Sequence, residues 1–327
     1  MNAAATTLHP KLAPAGASWF EASARQRLAG LVDAGSLDEF AGPPARLASP
    51  HLPLFDLPQQ FDDGMIVGRA TLAGEPVFVA AQEGRFMGGA FGEVHGAKLT
   101  GLLRAARELR AARELRAARE LRAAPVLILF DTGGVRLQEA NAGEIAVSEI
   151  VRAVIDARAA GVPVVGLVGG RAGCYGGGGI IAACCSALAV SEAGRIGVSG
   201  PEVIESRRGV DEFDSRDRAL VWRTMGGKHR RLVGGADAFV DDTIDAFRHA
   251  AIALLARVRA GGAFGTATLE AEHARLAARI ARFRDCDDAL DVWRALGAPD
   301  AGAIPALDAA AFAALADRLT EVCDDAR

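Results

Sequence analysis

The stretch that decides the fold reads GGRAGCYGGGG, from Gly169 to Gly179, and seven of its eleven residues are glycine. Glycine loses more backbone entropy on folding than any other residue, so this density indicates a backbone that approaches another group closely or adopts positive φ. The apolar, β-branched run at 162–168 is typical of a buried strand, and Ile180 to Cys185 predicts a buried helix. A strand that passes through glycines into a helix leaves unpaired N–H groups at the positive end of the helix dipole. Such a place can hold an oxygen atom that carries negative charge.

The same arrangement occurs one unit earlier in the chain. The segment FDTGGVRLQE, from Phe130 to Glu139, is the end of an apolar run followed by Gly133 and Gly134. Each glycine turn alone is also explained by a tight turn in which only glycine fits. Two such turns in neighbouring units can converge on one ligand oxygen, and two preorganised N–H donors at an oxyanion are often the largest catalytic contribution.

Working outward, the pattern alternates between strands and helices. We predict strands at about 126–130, 163–168 and 188–191, with helices at about 141–159 and 177–187 between them. This alternation is typical of an α/β fold with a mainly parallel sheet. After Pro201 the pattern is mostly helical, with helices predicted at about 214–225, 241–259, 267–283 and 306–322. We therefore expect a flexible tail at 1–19, one domain at 20–260 and a C-terminal helical extension at 261–327.

The segment before this core contains a helix, a hairpin and a repeat. Ser23 and Gln26 have the spacing of a capping box for a helix at about 20–34. Two β-prone runs at 65–72 and 76–82 predict a hairpin. A long helix is then predicted at about 93–123, and it contains Arg-Ala-Ala-Arg-Glu-Leu three times between residues 104 and 121. A period of six matches neither a heptad nor the helical turn, so the repeat is predicted to be a solvated helical insertion that can be shortened without loss of activity.

Composition excludes several classes of function. The formal net charge of −4 gives no basic field for general nucleic-acid binding. No apolar run approaches the roughly 20 residues that span a bilayer, so we expect a cytoplasmic protein. The five cysteines include no Cys-x-x-Cys pair, which fits neither a disulfide framework nor a zinc ribbon. Cys184 and Cys185 are interpreted as small buried residues, whereas Cys174 lies among glycines that can expose it.

Several familiar site motifs are absent. The glycine run contains no Gly-x-Gly-x-x-Gly, and the chain has no Gly-x-x-x-x-Gly-Lys-Ser/Thr and no His-Glu-x-x-His. The segment from Gly197 to Pro201 misses the nucleophile elbow, because its second glycine follows Ser199 directly. These absences argue against a dinucleotide site, a P-loop, a metallohydrolase and a serine nucleophile.

Longer motifs resemble a known family. They are TGGVRLQE from Thr132, the glycine run, GRIGVSGPEVIE from Gly194, and the upstream segments at 24–28 and 88–92. Together they resemble the carboxyltransferase family of acyl-CoA carboxylases, which belongs to the crotonase superfamily. Segments from Asp131, Gly169, Glu212 and Met225 are similar to the subfamily of beta subunits of biotin-independent malonate decarboxylases. No cysteine precedes Cys174, so the four-cysteine zinc motif of bacterial acetyl-CoA carboxylase beta subunits is absent, as is a Met-Lys-Met biotin-attachment motif.

The resemblance implies a fold, a reaction and partners. The fold is a crotonase-like spiral of ββα units with a C-terminal helical layer. The reaction is the decarboxylation of a malonyl thioester to an acetyl thioester and CO₂. The thioester is carried by a dephospho-CoA-derived prosthetic group on an acyl carrier protein, without biotin or metal. The implied partners are a homologous gamma subunit that shares the active site, the acyl carrier protein and an alpha transferase subunit.

The resemblance also implies site residues. The catalytic turn is formed by Gly133, Gly134 and Val135, with the N–H groups of Gly134 and Val135 as oxyanion donors. Substrate or prosthetic-group contacts are assigned to Gly173, Cys174, Tyr175, Gly176, Gly177, Gly178, Ser199, Gly200, Pro201, Lys228, His229 and Arg230. Two alternatives remain open: the glycine run holds either the thioester arm or the malonyl carboxylate, and the basic cluster at 228–230 is either a phosphate contact or a solvated helix end. Arg136 and Glu139, three residues apart, either pair with each other or contact substrate.

Two other functions are consistent with these residues. A non-catalytic scaffold subunit leaves the glycine turns without a chemical role. An enoyl-CoA hydratase requires catalytic glutamates near these turns, and Glu139 and Glu144 are the candidates. Substitution of Gly134 distinguishes the scaffold from the enzyme, and hydration of crotonyl-CoA by the isolated chain tests the hydratase.

Overall fold

The structure is a computed structural model that describes residues 16–115 and 124–324. Its first half contains α1 (Ala24–Leu31), β1 (Asp38–Phe40), β2 (Met65–Leu72), β3 (Glu75–Gln82), α2 (Glu93–Leu115), β4 (Val126–Phe130), α3 (Asn141–Ala159) and β5 (Val164–Val168). The second half contains β6 (Cys174–Tyr175), α4 (Gly177–Cys184), β7 (Ala187–Ser191), β8 (Ile196–Gly197), α5 (Pro201–Arg208), α6 (Arg218–Met225), α7 (Gly227–Leu232), β9 (Ala238–Val240), α8 (Ile244–Ala260), α9 (Thr266–Phe283), α10 (Ala289–Ala295) and α11 (Ala309–Asp324).

Seven strands form the main sheet in the order β1-β2-β3-β4-β5-β7-β9. The strands from β1 to β3 pair antiparallel, and β3, β4, β5, β7 and β9 pair parallel. A second sheet consists of the short parallel strands β6 and β8. The predicted parallel α/β arrangement is therefore confirmed. The edge strand β9 was not predicted, because its three residues lie in a segment that otherwise has helical periodicity.

The main sheet is buried on both faces, as its nearly continuous apolar strands require. In β4, Ile128 and Phe130 face one hydrophobic cluster together with residues of α2 and α3. Leu127 and Leu129 face a second cluster, which contains residues of α1 and α8. Successive side chains of a strand point to opposite faces, so one strand anchors both layers. The parallel strands thus end at a common edge, where the glycine turns lie.

The N-terminal helix starts where its cap predicts. Ser23 accepts a hydrogen bond from the Gln26 N–H, and the Gln26 side chain accepts one from the Ser23 N–H. The helix thus begins at Ala24 rather than near residue 20. Before it, Trp19 is fully buried and stacks on Phe247 with ring centroids 4.1 Å apart. The packed chain begins by residue 18, where the Ser18 hydroxyl donates to Asp242. Of the flexible tail predicted at 1–19, residues 1–15 lie outside the described residues.

Other predicted boundaries shift for local reasons. The helix predicted at 177–187 ends at Cys184, because the Ser186 N–H donates to the Val164 carbonyl as the chain enters β7. The helix predicted from 214 begins at Arg218, since the Asp217 side chain caps it by accepting from the Leu220 N–H. The C-terminal layer forms a separate apolar cluster around Trp293 and Phe312. The division of the chain at residue 260 stays a prediction.

Part of the arginine-rich repeat lies outside the described residues. The first copy belongs to α2, which packs along α3. Arg104 pairs there with Glu149, and Arg107 pairs with Asp156 at 3.2 Å. Leu109 is half exposed, as a period of six predicts. Within the described ranges, no helix is both long and apolar enough to cross a membrane.

Candidate functional site

The two glycine turns lie against each other. A Cβ atom built on Gly176 would lie 3.3 Å from the Gly134 Cα, and one built on Gly134 would lie 3.8 Å from the Gly176 Cα. Both glycines have positive φ, 129° at Gly134 and 56° at Gly176. Only glycine adopts these angles without strain while two backbones approach so closely. The predicted convergence of the two turns is therefore a property of the fold.

In the first turn, the predicted donors are not equivalent. The Gly133 N–H donates to the Gly88 carbonyl at 2.8 Å, and the Gly134 N–H donates to the Thr132 hydroxyl at 3.1 Å. The Val135 N–H has no acceptor among the described residues, whereas its neighbours on both sides are fixed. Of the two N–H groups assigned to an oxyanion, only that of Val135 is free. Thr132, which the sequence assignment omitted, fixes the turn that presents it.

In the second turn, helix α4 presents uncapped N–H groups. The first hydrogen bond of the helix runs from the Ile180 N–H to the Gly176 carbonyl at 3.3 Å, and no side chain caps the helix. The N–H groups of Gly177 and Gly178 precede that bond and have no intrahelical acceptor. At Gly178 a Cβ would lie 2.3 Å from the Thr132 side chain. The glycine density therefore serves both packing and the exposure of donors.

Asp131 positions the glycine run from behind, a role that sequence reasoning missed. Its carboxylate accepts from the Arg27 guanidinium and from the Ala172 N–H, each at 2.7 Å, and both charged side chains are buried. A Cβ at Gly170 would lie only 2.2 Å from this carboxylate. The available signal was an aspartate directly after a buried strand and before two glycines. A buried acid at that position needs partners, and here one partner is the second glycine turn.

The assignment of Ser199, Gly200 and Pro201 to substrate contacts stays a prediction, and the strand that precedes them lies beside the glycine run. Strand β8 pairs with β6, which sets Gly197 against Tyr175, and Gly200 is the N-cap of α5 with Pro201 at its first position. Cys174 is fully buried in the core, and burial holds the pKa of its thiol well above the ordinary value. Its sulfur is therefore not exposed by the surrounding glycines, so only its backbone belongs to the site.

Arg136 and Glu139 pair with each other rather than face the turns. The Arg136 guanidinium donates to Glu139 at 3.1 Å and to Asp63 at 2.7 Å, and all three side chains are fully buried. The Glu139 carboxylate also accepts from the Glu93 N–H at 2.6 Å. Of the two alternatives for this pair, the structure supports ion pairing. Glu139 is thereby also unsuited to the hydratase role considered above.

The predicted basic cluster at 228–230 is divided among three environments. The Lys228 ammonium donates to the carbonyls of Pro305 and Leu307 and pairs with Glu192, at 2.8 to 2.9 Å. His229 accepts from the Trp293 indole N–H at 3.2 Å, and burial lowers its pKa to about 3. A lysine with three protein acceptors and a neutral histidine are unsuited to phosphate. The geometry therefore argues against the predicted phosphate contacts of Lys228 and His229. Arg230 is the one member of the cluster that stays a candidate.

His229 predicts a specific dependence of stability on pH. Its pKa is near 6.5 in an unfolded chain and about 3 in the fold, so the unfolded state takes up the proton first on acidification. The stabilisation is complete above pH 6.5 and declines below it. We expect the unfolding temperature of the protein to fall more steeply between pH 6.5 and 4.5 than that of His229→Gln, measured by circular dichroism. Parallel curves would contradict a buried neutral His229.

Comparisons with known proteins show the family to which the chain belongs. The carboxyl transferase domain matches residues 21–249. Over 240 residues the chain is 43% identical to malonyl-S-ACP:biotin-protein carboxyltransferase MADC from Malonomonas rubra, covering 73% of this chain and 75% of that protein.

Solved structures give the same result. The crystal structure of a Pseudomonas malonate decarboxylase hetero-tetramer in complex with malonate contains a chain with 38% identity and a TM-score of 0.73, covering 86% of this chain and 98% of that one. Transcarboxylase 12S, crystallised with methylmalonyl-coenzyme A, matches at 27% identity and a TM-score of 0.58, covering 71% of this chain but only 40% of that one. The predicted crotonase-like fold and the resemblance to malonate decarboxylase subunits are thus confirmed.

Proposed function

The chain belongs to the carboxyl transferase domain family, and from that premise we propose that it is the beta subunit of a malonate decarboxylase. It decarboxylates a malonyl thioester on an acyl carrier protein to an acetyl thioester and CO₂. The likeness to a Pseudomonas malonate decarboxylase chain along 98% of that chain supports this reaction. The structural observation on which the proposal rests is the contact between two glycine turns that both present free N–H groups.

The proposed chemistry needs donors rather than a nucleophile. When the bond between the carboxylate and the α-carbon breaks, its electron pair moves into the thioester carbonyl and CO₂ leaves. The enolate carbon then takes up a proton to give the acetyl thioester. Negative charge on the carbonyl oxygen appears mainly in the transition state, so donors aimed at it accelerate the reaction. We assign this role to the N–H of Val135 and to the first N–H groups of α4, from Gly177 onward.

The surroundings of the turns support a shared active site. Several large apolar side chains that follow the glycine turns in the chain are exposed: Leu137, Ile145, Ile180, Val198 and Val203. Large exposed apolar side chains are often covered by a partner protein. We propose that a homologous gamma subunit covers these side chains, and that the acyl carrier protein, with its dephospho-CoA-derived group, and an alpha transferase subunit complete the assembly. Biotin and metal have no role in this proposal.

The test is reconstitution. The chain is expressed with its candidate partner subunits, and CO₂ release from malonyl-loaded carrier protein is measured against the chain alone. We expect one CO₂ per acetyl thioester formed by the complex. Absence of turnover by an assembled complex would reject the proposal, and the same complex tests the scaffold alternative through the Gly134 variant described below.

A second candidate is carboxyl transfer to a biotin protein, which the name of the Malonomonas relative favours. In that reaction the same enolate forms, but the carboxyl group passes to biotin instead of leaving as free CO₂. Avidin separates the two: decarboxylation that is unaffected by avidin supports the first proposal, and acetyl thioester formation that avidin stops supports the second.

A further inference from the structure

Arg230 is a cation that pairs with no carboxylate of the described residues. Its neighbours in α7 are engaged, Lys228 with three oxygen atoms and Arg231 with Asp317 at 2.7 Å. No carboxylate in the described part of the chain pairs with Arg230, and its Nε is enclosed without a hydrogen-bond partner. Burial lowers the pKa of this guanidinium, while the nearby Tyr175 raises it. Arg230 is partly buried, and a partly desolvated guanidinium without a carboxylate partner is a candidate to bind an anion.

Tyr175 offers a second unused donor, and its side chain lies near enough to Arg230 for the two groups to interact electrostatically. The residue is 5% exposed, and its hydroxyl is enclosed with no hydrogen-bond partner among the residues that the structure describes. Its ring is fixed between Gly173 and Gly197, where added Cβ atoms would lie 2.8 Å and 3.5 Å from ring carbons. Phe213, Val221 and Met225 pack around it. Burial raises the pKa of Tyr175, so the hydroxyl stays protonated and can donate.

The place of Tyr175 in the chain links the pair to the proposed reaction. Tyr175 directly precedes Gly176, the residue in contact with Gly134. A planar fork of N–H donors beside one O–H donor complements a carboxylate, whose two oxygens accept several hydrogen bonds. The substrate proposed above carries its carboxylate one carbon away from the thioester carbonyl.

Resting on that proposed function, we propose that the Tyr175 hydroxyl and the Arg230 guanidinium bind the free carboxylate of the malonyl thioester. They hold the carboxylate about equally in the ground state and in the transition state, because its oxygens keep much of their charge until CO₂ departs. The pair therefore sets KM and the preference for malonyl over acetyl thioester, while kcat depends on the N–H donors. When CO₂ departs, Tyr175 and Arg230 lose the carboxylate that they bound, so the acetyl thioester product is bound more weakly than the malonyl thioester.

The test uses the assembled complex with Arg230→Gln, Tyr175→Phe and Arg230→Lys. Arg230→Gln should raise KM for malonyl thioester by about 10- to 100-fold, the range for losing a hydrogen bond to a charged group, with kcat within about threefold of wild type. The inhibition constant of acetyl thioester should stay within about twofold, since it has no carboxylate. Tyr175→Phe should also raise KM for malonyl thioester, but by less than Arg230→Gln. Arg230→Lys should have a lower KM than Arg230→Gln, because it keeps the positive charge.

The control is Arg218→Gln, an exposed arginine in the adjacent helix α6, which removes one charge and should leave both constants unchanged. Equal weakening of malonyl and acetyl thioesters, or a loss of kcat at constant KM, overturns the carboxylate assignment. Loss of subunit assembly in Arg230→Gln overturns it too, because the partner would then supply the anion. Preferential binding of malonyl thioester that depends on Arg230, but without CO₂ release by wild type, would support the subsite and reject the proposed reaction.

Discussion

Replacing Gly134 with alanine should lower kcat for malonyl thioester decarboxylation by about 100-fold or more, the loss typical of a misplaced oxyanion donor. At φ 129° a side chain strains the backbone, and its Cβ would enter the gap between the turns, 3.8 Å from the Gly176 Cα and the Tyr175 carbonyl oxygen. The turn must then move, and the Val135 N–H moves with it. CO₂ release under single-turnover conditions measures the effect on the chemical step.

The matched control is Gly297→Ala. Gly297 also has positive φ, 92°, but a Cβ there meets no atom within 4 Å. It therefore reproduces the backbone strain away from the site and should leave kcat unchanged. If Gly134→Ala assembles with its partners and turns over within a few-fold of wild type, the oxyanion role is wrong and the scaffold alternative gains support.

Replacing Arg136 with methionine should destabilise the fold by about 3–5 kcal/mol, because it leaves buried carboxylates without their cation. Asp63 and Glu139 lie 2.7 Å and 3.1 Å from the guanidinium, with no exposed side-chain surface on any of the three. Burial already raises the pKa of Asp63, and Arg136 opposes that shift. Without Arg136, one carboxyl has to take up a proton to remain buried. Urea unfolding at pH 7 gives the difference in free energy of unfolding.

Arg69→Met is the comparison for this experiment. Arg69 pairs with Asp38 at 2.9 Å, but both side chains are more than half exposed, so solvent screens the pair and the loss should stay below about 1 kcal/mol. Equal stabilities of the two variants would show that Arg136 is not a structural cation. That result would favour the alternative in which Arg136 contacts the substrate.

Much of the fold follows from local sequence patterns. The strand at Val126–Phe130 and the helix at Asn141–Ala159 appear with the predicted bounds, because an apolar β-branched run and a 3.6-residue periodicity each favour one local structure. The capping box at Ser23 is present for the same reason. The meeting of the two glycine turns could also be predicted, since parallel strands end at a common edge of the sheet.

What the sequence determined by itself was the order of elements, the glycine turns and the family. Tertiary structure decided which polar groups are free. Lys228 finds its acceptors at Pro305 and Leu307, more than 70 residues away, and the Gly134 N–H is satisfied by Thr132 whereas that of Val135 is not. Local patterns reflect interactions within a few residues, so they predict helices and turns. Whether a donor is used or available depends on partners brought near by packing, and only the folded chain assigns those to Val135, Tyr175 and Arg230.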